Sequence, residues 1–243
     1  MKLKEFIGRY LTVHKCAGCR DILEYEDHDS AFCLECKLSW NAAKTETCPA
    51  CNQSAVECIC MPRGLKGSGA LCLRKLIFYS AKKNGEPQNR AIFFLKKNKN
   101  RRVAAFFAGE LKRAALSEIG IFTSDAARDA VIVNVPRGVK ARAAHGFDQS
   151  ELVCRELSFI TGIPYLPALK RRRGGKEQKK LDKGKRFRNV SSLFKLRCED
   201  DVKDKYVLLF DDVVTTGASL AACASRLRKA GAKGRICLTV AQD

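Results

Sequence analysis

The chain has 243 residues, 13 cysteines, and 46 Lys and Arg against 26 Asp and Glu, a formal net charge of +20. That length accommodates one good core plus a small module, no apolar run approaches the length needed to cross a membrane, and the positive excess favours a phosphate-rich partner, nucleotide-like or nucleic acid. Residues 1–15 are broken by Lys2, Lys4, Glu5, Arg9 and Lys15, so no secretory leader is expected; the cysteines then read as metal ligands in a reducing cytoplasm, not as a disulfide framework.

Eight cysteines fall in four pairs: Cys16/Cys19, Cys33/Cys36, Cys48/Cys51 and Cys58/Cys60. Two such pairs bring four thiolates to one tetrahedral Zn²⁺. Sequential pairing is expected, with Cys16, Cys19, Cys33 and Cys36 on one structural zinc and Cys48, Cys51, Cys58 and Cys60 on a second. The interleaved arrangement of RING-type modules lacks a His at the usual ligand position, and an Fe–S cluster is the alternative thiolate chemistry. Asn52, after Cys51, suits the left-handed turn of a zinc knuckle; Arg20, after Cys19, suits it less. His14 and His28 read as solvent-facing and receive no role. A segment this poor in aliphatics depends on metal to fold. Residues 1–64 are therefore read as a cysteine-rich, double zinc-ribbon module. A linker at Met61–Gly64 and Gly67–Gly69 leads into a second domain over 65–243.

In the second domain, Ala70–Ser80 reads as a strand, Asn89–Lys97 as a helix, and Arg101–Ile119 as a longer helix capped by Gly120. Ala130–Val135 is an apolar strand ended by Pro136-Arg137-Gly138-Val139-Lys140, a candidate phosphate loop. His145–Ser150 leads into a helix over Glu151–Thr161, and Gly162–Tyr165 turns the chain back. This alternation argues for a parallel sheet in an α/β domain. Lys170–Arg188 holds eleven basic and two acidic residues without a hydrophobic period. It reads as a charged loop suited to pyrophosphate or nucleic acid, although Phe187 is its one aromatic for stacking on bases.

Val207-Leu208-Leu209-Phe210 runs into Asp211 and Asp212, and Val213, Val214, Thr215, Thr216, Gly217, Ala218 and Ser219 follow. Leu220, Cys223, Leu227 and Ala230 then repeat at helical spacing to Gly231. A buried strand, a hydroxyl-rich loop and a helix N-terminus converge on an anion, with Gly217 allowing close backbone approach. Two carboxylates beside a phosphate site make sense when the ligand also carries hydroxyls or a divalent cation, as a ribose phosphate with Mg²⁺ does.

This block resembles the 5-phosphoribosyl-1-pyrophosphate (PRPP) motif of the type I phosphoribosyltransferases. The resemblance implies an acidic pair on the ribose hydroxyls, a following loop on the 5′-phosphate, and Arg137 with the Gly138 backbone at the pyrophosphate end. The order of a cysteine ribbon and then this domain resembles the ComF family over nearly the full chain. His145-Gly146-Phe147-Asp148-Gln149 looks like that family's Arg-Gly-Phe-Asn-Gln block, with His145 and Asp148 departing from it. Gln178, Leu181, Arg186, Asn189, Val190 and Phe194 match a second spaced block. The resemblance implies a parallel sheet of type I phosphoribosyltransferase kind, PRPP as ligand with Mg²⁺, and a role in DNA uptake and natural transformation or in nucleotide metabolism. The alternative it leaves open is a non-enzymatic competence protein that binds single-stranded DNA, or docks other DNA-uptake proteins through its ribbon, with PRPP as a regulator or unused. No motif implies an acceptor.

Overall fold

The computed structural model describes residues 13–24, 26–79, 85–122, 126–172, 192–197 and 199–243. Its elements in chain order are α1 (Leu34–Lys44), β1 (Cys72–Phe78), α2 (Pro87–Lys97), α3 (Arg101–Phe122), α4 (Ala126–Asp129), β2 (Ala130–Asn134), α5 (Val139–His145), α6 (Gln149–Thr161), β3 (Leu169–Arg171), β4 (Phe194–Leu196), β5 (Tyr206–Val214), α7 (Ala218–Lys229) and β6 (Gly234–Gln242).

The centre is a four-stranded sheet in the order β1-β6-β5-β2, and every pairing in it is parallel. Parallel strands need crossover connections, which place helices on both faces and leave the strands buried on both sides. The side chains of β5 show this alternation. Leu208 and Phe210 pack with α3 and α6, while Val207 and Leu209 pack with α7 and the short antiparallel hairpin β3–β4. The α/β class and the parallel sheet expected from the sequence are both present.

Several bounds move, each for a local reason. The strand read over 70–80 narrows to Cys72–Phe78, and the helix read from Asn89 begins at Pro87, whose fixed φ and missing N–H suit a first turn. Gly120 does not cap α3, which runs through Gly109 and Gly120 to Phe122. A glycine inside a helix costs about 1 kcal/mol but does not by itself stop it. Helix α6 starts at Gln149, because the Asp148 side chain accepts from the backbone N–H groups of Ser150 and Glu151. Strand β5 continues through both aspartates to Val214, paired with β6 as far as Gln242.

The cysteine-rich segment is packed against the α/β core. Trp40 on α1 is fully buried, lies 5.4 and 5.5 Å from the Phe106 and Phe107 rings of α3, and donates its indole N–H to Glu110 at 2.9 Å. Lys44 pairs with the same carboxylate at 2.7 Å. Arg102 of α3 donates to the backbone carbonyls of Lys15 and His28. His28, expected at the surface, is buried, and its ring stacks on that of His14 at 4.0 Å. The junction at 61–69 is also packed, with Leu65 wholly buried against Leu220 and its neighbours. Most of the basic segment, with Gln178, Leu181, Arg186, Asn189 and Val190, lies outside the described residues. Phe194, the last of that block, is buried in β4.

Candidate functional site

The carboxyl ends of β5 and β2, neighbours in the sheet, carry the sequence-predicted residues. Because β5 stays extended through its acidic pair, the two aspartates alternate across the strand. Asp211 lies with Val213 to Leu220 around a cavity of about 70 Å³. That cavity brings together Val213, Val214, Thr215, Thr216, Gly217, Ala218 and Ser219, as the sequence predicts. Thr215 and Thr216 are exposed there. Gly217 takes φ +78° and caps α7, a helix of 12 residues whose N-terminal N–H groups and dipole favour an anion.

Asp212 faces the other way. Its Oδ2 accepts from Gln149 Nε2 at 2.9 Å and lies 3.5 Å from Lys96 Nζ, while its Oδ1 accepts from the backbone N–H of Val213 at 2.7 Å. Asp211 accepts the backbone N–H of Asp212 at 3.0 Å. Burial first, and the charge of Asp212 second, push the Asp211 carboxyl well above the usual carboxylate range, against the pull of the Asp212 N–H and Lys96. The two carboxylates are therefore held differently: Asp212 has amide and cationic side-chain partners, whereas Asp211 is raised by burial and by the charge of Asp212.

At the end of β2 lies a cavity of about 440 Å³ whose walls include Arg137, Arg142, Arg171, Arg197 and Tyr165. Arg137 is anchored there by its own chain. Its N–H donates to Asp148 Oδ2 at 2.7 Å, and its guanidinium donates to the Lys96 carbonyl at 2.8 Å and lies over the Phe147 ring. Gly138 is the N-cap of α5 and lies 4.0 Å, by the position a Cβ would take, from the Arg171 guanidinium carbon. Asp148 is buried; Oδ1 caps α6, and Oδ2 accepts from Arg137 and from Asn134 Nδ2. Both oxygens receive N–H donors, which an Asn amide group could not do. A carboxylate at position 148, where the block it resembles has Asn, thus has a structural use. His145 is exposed at the end of α5 and touches neither cavity.

Lys96 and Arg197 enter the site without a local sequence signal. Lys96 sits in the last turn of α2, and only the crossover from β1 brings it to Asp212. Gln149 carried a signal as part of a motif block but no role; it is buried, and its Oε1 has no hydrogen-bond partner among the described residues.

The cysteines assemble as two groups of four, Cys16/Cys19/Cys33/Cys36 and Cys48/Cys51/Cys58/Cys60, each with its sulfur atoms within 4.8 Å of one another. This is the sequential pairing, and both groups could hold a structural zinc. Backbone N–H groups point at sulfur, from Gly18 and Cys33 to Cys16 and from Cys60 to Cys58. Burial raises the Cys16 thiol, but N–H groups of Cys33, Cys19 and Gly18 outweigh it and bring it to about 7. The same balance, with N–H groups of Ala50 and Cys51, brings Cys48 to about 7. These two are held low by N–H donors, whereas burial pushes Cys19 up to about 12, and the hydrogen bond with Cys51 pushes Cys60 up to about 12. Asn52 takes the left-handed turn expected of it at φ +58°, and Arg20 takes it as well, at φ +78°. The Arg20 guanidinium lies 4.1 Å from the centre of the Phe94 ring, which offsets the strain.

No family model matches the chain. It is 35% identical over 102 residues to a protein named DNA utilization protein YhgH from Escherichia coli K12, and 34% identical to proteins of the same name from Salmonella typhi and Shigella flexneri. Each match covers 42% of this chain and 44% of the relative, so the chain spans under half the length of the curated relatives it matches. Among solved structures, it is similar at TM-score 0.38 to an allosteric regulatory enzyme of purine biosynthesis and to the glutamine phosphoribosylpyrophosphate amidotransferase from B. subtilis. The identities are 21% and 22%, and each match covers 56% of this chain and 26% of the other. Among the described residues, no helix is long and apolar enough to cross a membrane.

Proposed function

We propose that this chain is a PRPP-binding protein of phosphoribosyltransferase type and of the ComF family, acting in DNA uptake or nucleotide metabolism in the cytoplasm. One observation carries the reading: at the carboxyl end of a parallel strand, an acidic pair runs straight into a hydroxyl loop and a helix N-terminus that share a small cavity with Asp211. The loop at 213–219 would hold the 5′-phosphate, with Asp211 and Asp212 on the ribose hydroxyls. Arg137 and Gly138 would hold the pyrophosphate end, and the cavity lined by Arg137 adds Arg142, Arg171 and Arg197. Mg²⁺ bound with PRPP would supply positive charge that offsets the charge of the leaving pyrophosphate. As pyrophosphate leaves C1, positive charge develops on the ribose, and the carboxylates stabilise it. Zinc in the two cysteine clusters would be structural, and residues 1–64 and 65–243 would act as ribbon and ligand-binding domain.

Calorimetry with PRPP and Mg²⁺ is the direct test. Micromolar to millimolar binding is expected, weakened at least about tenfold in the Asp211→Asn/Asp212→Asn variant; absence of heat at millimolar PRPP would sink the reading. Pyrophosphate release across a panel of bases and nucleic acids then separates an enzyme from a binding protein.

A second reading, a non-enzymatic single-stranded DNA binder, is favoured by the net charge of +20 and by the relatives' name. It expects DNA affinity to fall steeply with salt and the salt slope to shrink when Arg171, Arg172 and Arg173 are neutralised.

A further inference from the structure

We propose that the segment from Pro62 to Leu65 is a positioning strap that couples metal at the second cysteine cluster to ligand binding at the Thr215–Gly217 loop. The segment begins two residues after Cys60, the last member of that cluster. It then lies directly on the loop. A Cβ on Gly64 would overlap the Thr216 carbonyl oxygen, and a Cβ on Gly217 would sit 3.0 Å from both the Leu65 Cβ and the Pro62 Cγ. Both contacts require glycine, one for close approach and the other also for its φ of +78°. Leu65 is wholly buried in the same apolar cluster as Leu220 on α7. The strap is fixed beyond the loop as well, where Ser225 donates to the Ser68 carbonyl and Arg235 to that of Gly69.

The near end is held by the cluster. Cys60 donates its N–H to Cys58 Sγ, and the carbonyl of Cys58 accepts from the buried ammonium of Lys75 on β1 at 2.8 Å. Four thiolates on one zinc fix the path of residues 58–60, and hence where Pro62 and Leu65 press on the loop. Without metal, four thiols have no bond that keeps them converged. The loop's N–H groups and hydroxyls must converge on an anion to within a few tenths of an ångström, so losing the strap costs affinity more than it costs the fold. By linkage, an anion held in the loop must in turn strengthen metal retention at the second cluster, and not at the first, whose described residues pack with α2 and α3.

The inference rests on the proposed ligand for its binding arm alone, and an exchange arm stands apart from it. The probes are PRPP with Mg²⁺, zinc content, and amide hydrogen exchange over residues 213–218 in the full zinc-loaded chain. Gly64→Ala and Leu65→Ala are expected to keep both zinc ions, speed loop exchange and weaken PRPP about 5- to 50-fold, with Leu65→Met recovering most of the loss. Cys58→Ser/Cys60→Ser is expected to do the same with one zinc remaining. PRPP is expected to slow zinc loss to a chelator from one cluster only. Unchanged loop exchange in Gly64→Ala, or equal slowing of zinc loss at both clusters, would overturn the coupling. If PRPP binds nowhere, the proposed ligand fails while the exchange arm still decides the strap; if the cysteine variant does not fold, the Gly64 and Leu65 variants decide it.

Discussion

The two cysteine clusters have the same ligands and different surroundings. Cys16 and Cys36 of the first belong to the main apolar core, together with Phe32, Trp40 and residues of α2 and α3. Cys48 and Cys58 of the second are buried but belong to neither apolar cluster, and their chain continues into the strap over the hydroxyl loop. The first cluster is thus tied to the packing of the whole fold, and the second to the segment that lies on the hydroxyl loop. Similar spacing in sequence does not give identical surroundings; the chain downstream of each cluster, and the surface it packs on, sets them.

The largest expected effect breaks or confirms that contrast. A structural zinc contributes about 10–16 kcal/mol in small zinc-binding peptides, comparable to the whole stability of a domain, about 5–15 kcal/mol. Cys16→Ser/Cys36→Ser should therefore abolish cooperative unfolding and shift the emission of Trp40, the single tryptophan. Cys48→Ser/Cys51→Ser should lower the melting temperature but leave Trp40 emission native. If both variants lose the Trp40 signal alike, the two clusters are equivalent and the contrast falls.

Much of this is legible in the sequence alone. The four cysteine pairs, the apolar strands and the acidic pair followed by a hydroxyl loop announce themselves because each depends on neighbours in the chain. The features that are not legible depend on distant residues. Lys96 reaches Asp212 only through a crossover, Trp40 finds Glu110 across 70 residues, and His28 is buried because α3 covers it. The split of Asp211 from Asp212 lies between these cases. It is a consequence of strand periodicity once β5 is known to continue to Val214, but that continuation is set by pairing with β6, which no local pattern reveals.

The loop side should also show a cost that the core side does not. Burial and the neighbouring Asp212 raise the Asp211 carboxyl, so the folded state binds a proton more tightly than the unfolded chain does. Stability from this group is then full below about pH 4, the ordinary carboxylate value, and is lost as pH rises toward the raised value. Asp211→Asn removes the titration and should stabilise the unliganded protein at neutral pH by about 1 kcal/mol, or roughly 2–4 °C in melting temperature for a chain of this size, while weakening PRPP. The gap between variant and wild type should close as pH falls to about 4. A destabilised Asp211→Asn, or a gap that widens in acid, would mean that Asp211 is held ionised by the fold and that the loop side carries no such cost.

The smallest effect belongs to the first cluster. Arg20 is strained by its φ of +78° and offsets part of that through its stack on Phe94. A left-handed non-glycine residue costs about 1–2 kcal/mol, and an exposed cation–π contact returns about 0.5–1 kcal/mol. Glycine removes the strain and the stack together but raises the entropy of the unfolded chain by a similar amount. Arg20→Gly should therefore change stability by no more than about 0.5 kcal/mol, measured by thermal melting of the zinc-loaded chain. Arg20→Val, which keeps the strain, adds a β-branch and loses the stack, should cost at least about 1 kcal/mol. Equal losses in both variants would show that the guanidinium, and not the backbone turn, is what joins this knuckle to α2.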